Sequence, residues 1–88
     1  MKIILQPQEV CGRWKFKGTI VYTKAFGEVF QDKTTEVILT SMSLIFERVR
    51  RNVADYLQVL IAETNTDTIK FWVIDDGSCV TFLLPEDY

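Results

Sequence analysis

The chain has 88 residues, 48% hydrophobic and 25% charged, with twelve acidic and ten basic side chains and a formal net charge of −2. That length holds one domain (1-88), and the composition excludes an intrinsically disordered chain. Balanced charge argues against a nucleic acid or anionic membrane held by bulk electrostatics while permitting a local patch, and the lack of histidine removes Ser-His-Asp, Cys-His and histidine–metal sites together.

At the start, KIIL predicts a short edge strand that QPQ interrupts. Three apolar residues are too few for a secretory leader, and no run approaches transmembrane length. A cytoplasmic location with no membrane partner is therefore expected. Cys11 and Cys79 lie far apart, with no histidine to complete a zinc set. Two reduced, buried thiols are expected, with Cys79 filling a strand position rather than acting as a nucleophile.

The segment RWKFKGTIVYT, residues 13–23, alternates like a strand, with Gly18 at a bulge. Alternation puts Trp14, Phe16, Ile20 and Tyr22 on one face and Lys15, Lys17, Thr19 and Val21 on the other. Arg13, Trp14, Lys15, Phe16 and Lys17 interleave cations with aromatics, the composition of a single-strand nucleic-acid platform. A regular strand, however, sends the aromatics away from the cations, which favours a core aromatic face beside a solvated basic one. Residues 24–33 are ambiguous between turn and short strand. TTEVILT, 34–40, is rich in β-branched residues and reads as a strand.

A helix is predicted over 43–62, with Ile45, Phe46, Val49, Val53, Tyr56, Leu57 and Leu60 on one stripe. Ser43 is its expected N-cap, Asn65 its left-handed end, and Glu47–Arg51 an i,i+4 pair. A rival reading makes DYLQVLIAE a strand paired with TIKFWVID, because Leu57, Val59 and Ile61 alternate. The unbroken stripe favours the helix. Arg48 and Arg50 flank that stripe on opposite sides, so their stems are expected to cover a rim rather than concentrate charge.

In WVIDDGSCVTFLLPEDY the acidic pair Asp75–Asp76 precedes Gly77. A two-residue Asp76–Gly77 hairpin loop pairs Val73 with Val80, Phe71 with Phe82 and Ile69 with Leu84, all apolar and on one face. The carboxylates therefore read as turn chemistry rather than a metal or catalytic site. The other face carries Trp72, Ile74, Cys79 and Leu83, diluted only by Lys70 and Thr81. An antiparallel sheet with one solvated face alternates more cleanly than this, so both faces are expected to be covered.

The expected fold is α+β: a single antiparallel sheet of five or six strands with one long amphipathic helix across one face, in the order β-β-(β)-β-α-β-β. No Gly-rich phosphate loop is present, and no catalytic residue, metal or cofactor is expected. Excess apolar surface on a small sheet implies a non-enzymatic protein–protein interaction module of inhibitor, immunity or accessory-subunit type. It would be homodimeric or bound to another protein through Trp72, Ile74, Leu83, Lys70 and Thr81. The alternative is a nucleic-acid-binding module using Arg13, Trp14, Lys15, Phe16 and Lys17. A histidine-free enzyme is a third reading.

Overall fold

A computed structural model describes all 88 residues. Five strands form one sheet: β1 (Lys2–Leu5), β2 (Thr19–Tyr22), β3 (Leu57–Glu63), β4 (Thr68–Asp75) and β5 (Cys79–Leu83). Their spatial order is β1-β3-β4-β5-β2. A short helix α1 (Lys24–Phe30) and a 3-10 turn lead into the long helix α2 (Thr34–Arg50), which packs across one face. The α+β two-layer architecture is thus the expected one, with KIIL at an edge as predicted. The sheet is mixed, because β2 runs parallel to β5 while the other pairings are antiparallel.

The elements fall elsewhere along the chain than expected. The helix occupies 34–50, not 43–62, and the 34–40 segment is its first half rather than a strand. Its buried residues Thr34, Val37, Ile38, Ser41, Met42 and Ile45 follow one another at steps of three and one, an uninterrupted helical stripe. That stripe overrides the β propensity of TTEVILT, because burial of an apolar face outweighs a weak intrinsic preference. Phe46, expected on the stripe, lies exposed. Residues 57–63 form β3, the rival reading, with Gln58, Leu60 and Ala62 buried in alternation.

The helix ends at Asn52, not Asn65. Asn52 takes φ 61°, its N–H donates to Val49 O (2.9 Å), and the N–H of Val53 donates to Arg48 O (3.1 Å). These are the two bonds of a Schellman motif, which satisfy carbonyls that a helix end leaves orphaned. Glu47 pairs with Arg50 rather than Arg51. Upstream, Thr23 caps α1 by accepting the N–H of Phe26 (3.2 Å), resolving the ambiguous 24–33 segment as helical.

The C-terminal hairpin is shifted by two residues from the expected register: Val73 faces Phe82 and Asp75 faces Val80, and the Asp76 N–H donates to Cys79 O (3.1 Å), so the two-residue loop is Gly77–Ser78 rather than Asp76–Gly77. The reason is side-chain capping. Asp76 accepts the N–H groups of Ser78 (2.8 Å) and Cys79 (2.7 Å), and Gly77 takes φ 94°. A slip of two leaves every side chain on its predicted face. The helix-side face holds Phe71, Val73, Val80 and Phe82, which join Phe26 and Phe30 in the core. Ring centroids of Phe26 lie 4.8 Å from Phe30, 5.4 Å from Phe71 and 5.6 Å from Phe82 in tilted and edge-on contacts, the favourable geometry for aromatic packing.

Candidate interaction surfaces

Two surfaces deserve description, and the first is the sheet face away from α2. Residues opposite one another in a ladder share a face. One row therefore runs Ile4–Ile61–Lys70, the next Val59–Trp72–Leu83, and the third Leu57–Ile74–Thr81–Val21. All five residues singled out from the sequence (Trp72, Ile74, Leu83, Lys70 and Thr81) lie here, and Cys79 lies half-buried beyond Thr81 on the same face, whereas Cys11, expected to be buried too, is exposed in the loop after β1. Leu57, Val59, Ile61, Ile4 and Val21 complete the patch. Sequence reasoning missed them because it placed Leu57–Ile61 in a helix, although the alternation of 57, 59 and 61 carried the signal.

No helix covers this face. The C-terminal turn (Pro85–Asp87) folds back, setting Tyr88 edge-on to Trp72 with centroids 5.6 Å apart, and the loop Pro7–Val10 lines a depression with Leu57 and Val59 at the other side. Leu83 is buried, Trp72, Ile74 and Thr81 are half-buried, and Lys70 is exposed. One corner carries Lys2 beside Glu63, near Lys70, and none of the three is ion-paired within the chain.

The second surface is the loop before β2. Residues 13–17 are not a strand: Phe16 takes φ 53° and is buried, while Arg13, Trp14, Lys15 and Lys17 are exposed. The strict separation of aromatics from cations expected of a strand therefore fails. Phe16 alone turns into the core and Trp14 stays on the cationic side. The irregular path is held by tertiary hydrogen bonds from Gly12 N–H to Val53 O (3.2 Å), Trp14 N–H to Ala54 O (3.0 Å) and Phe16 N–H to Asp75 Oδ2 (2.8 Å). Asp75 also accepts the N–H of Gly77 (2.9 Å), so this carboxylate is a buried structural acceptor for two loops. A side chain at position 18 would meet Ser78 O at 2.4 Å, so only glycine admits this approach.

On the helix side of the sheet lies a partly buried polar network. Arg48 donates to Gln58 Oε1 and to Gln6 O (2.6 Å); Gln58 donates to Gln8 Oε1 (2.8 Å) and Asp55 O (2.9 Å). Burial, and secondarily the charge of Arg51, lowers the pKa of Arg48. Arg48 thus ties α2 to β3 and to Gln6, the residue after β1, beyond the rim-covering role expected of it. Its neighbours Arg50 and Arg51 are exposed.

No helix is long and apolar enough to cross a membrane. No protein-family model, curated protein or solved structure matches this chain.

Proposed function

We propose that this protein is a non-enzymatic interaction module that works by self-association through the open sheet face, in a cytoplasmic setting. The observation that carries the reading is the largely apolar sheet face around Trp72, half-buried and crossed by no helix while the opposite face packs against α2. Contiguous apolar surface of this kind marks an interaction site in a small domain. A second copy is the occupant that fits best. A two-fold axis brings a patch onto itself, and the mixed-sign corner of Lys2, Lys70 and Glu63 can pair unlike charges across such an axis. An inhibitor or accessory-subunit role for another protein is the broader form of the same reading.

Light scattering during size-exclusion chromatography tests it. The wild-type chain should run as a dimer, and Trp72→Asp and Ile61→Lys should each run as monomers with unchanged circular dichroism. A wild-type monomer at high micromolar concentration would sink the proposal. So would loss of fold in both variants, since the face would then be internal core.

A further inference from the structure

The loop surface carries a second, independent inference, which does not rest on self-association. An open depression of about 440 Å³ is lined by Arg13, Trp14, Lys15 and Lys17 on one side and by Gly18, Asp75 and Gly77 on the other. The chain's single ion pair joins Glu47 to Arg50, so none of these three cations is neutralised by a carboxylate. Lys15 makes one long hydrogen bond, to Asn52 Oδ1 at 3.4 Å. Concentrating three unpaired cations in five residues of a net-acidic chain creates the local positive field that its overall charge does not suggest.

The N–H groups of residues 12, 14 and 16 are turned into the protein, whereas those of Arg13, Lys15 and Lys17 have no acceptor within it. Asp75, which also lines the depression, brings a carboxylate charge, but both its oxygens accept backbone N–H groups and it pairs with none of the three cations. Asp76, on the far side of the turn, is likewise held by Ser78 and Cys79. An aromatic surface stands beside the cations: Trp14 is 40% exposed and Tyr56, its tilted neighbour at 6.1 Å, is 43% exposed. Two large exposed rings next to unpaired cations match the requirement of single-stranded nucleic acid for stacking faces with phosphate partners in reach.

We propose that the depression formed by Arg13, Trp14, Lys15 and Lys17 binds single-stranded nucleic acid, with a base stacked on Trp14 and the flanking phosphates held by the three cations. Phe16 has no part in recognition; it anchors the loop.

The test is fluorescence anisotropy of a labelled oligothymidylate with the full chain, across a salt series. Three phosphate contacts give a log–log salt slope of about −2, at roughly −0.7 per contact on a single strand. Lys15→Gln and Lys17→Gln should each make the slope shallower by one such contact. Trp14→Ala should weaken binding about fivefold or more without changing the slope, because stacking releases no counterions. Trp72→Asp should bind as the wild type does, which separates this site from the sheet face. No binding at low salt overturns the proposal. Equal affinity for tripolyphosphate and oligothymidylate, with Trp14→Ala silent, also overturns it by revealing a plain anion site.

Discussion

Gln58 has no exposure to solvent, and its amide joins Arg48, Gln8 and Asp55 in one network. Gln58→Leu should cost about 2–3 kcal/mol in urea unfolding, because the Arg48 guanidinium and the Gln8 amide lose a partner where water cannot readily replace it. An unchanged urea midpoint would show that the network relaxes without loss. Ser41 is the opposite case: its hydroxyl is buried in the helix–sheet interface with no hydrogen-bond partner. Ser41→Ala should therefore raise stability by about 1 kcal/mol, and a loss would reveal an acceptor. Asp76 is held below the usual carboxylate range by the N–H groups of Cys79 and Ser78. A carboxylate with a depressed folded-state pKa stabilises above its unfolded pKa, and that contribution vanishes as pH falls through the folded value. The melting-temperature advantage of wild type over Asp76→Asn should thus be full at neutral pH and shrink below about pH 4. A difference independent of pH would mean that the charge plays no part.

The end of α2 shows how one backbone position sets an element boundary. Asn52 sits in the left-handed region, where an unbranched amide side chain is tolerated and a β-branched one is not. Asn52→Gly should leave thermal stability near wild type, and Asn52→Val should lose about 1–2 kcal/mol; equal melting for the two would refute the strain argument. The same boundary explains what was illegible in the sequence. Val53 and Leu57 through Leu60 satisfy a helical stripe as readily as a strand, so periodicity alone could not place the break. The break depends on Asn52 closing the helix and on Leu57–Glu63 finding two strand partners, β1 and β4. The hairpin's faces, by contrast, were readable, because a two-residue register error preserves side-chain direction.

For the molecule as a whole, one helical layer covers one side of a five-stranded sheet, and the other side meets only the C-terminal turn and the Pro7–Val10 loop at its margins. If two copies close over that side, mass action makes stability depend on concentration: a hundredfold excess over the dissociation constant is worth about 2.7 kcal/mol. The wild-type melting temperature should therefore rise by several degrees over a hundredfold increase in concentration, while that of Trp72→Asp stays flat. A concentration-independent wild type would count against self-association. The depression lined by Arg13, Trp14, Lys15 and Lys17 shares no residue with the Trp72 face, so the two surfaces are separable by mutation.

Local patterning by itself determined the α+β class, the helical character of 43–50 but not of 34–42, and the apolar second face of the C-terminal hairpin, since hydrophobic alternation is a property of neighbours in sequence. Tertiary structure decided the rest. The parallel pairing of β2 with β5, the burial of Phe16 apart from Trp14, and the gathering of Arg13, Lys15 and Lys17 around Gly18 and Gly77 all depend on contacts between distant segments. Asp75 is the clearest instance: its place beside a turn was legible, but its bond to the N–H of Phe16, 59 residues away, exists only once the sheet has formed.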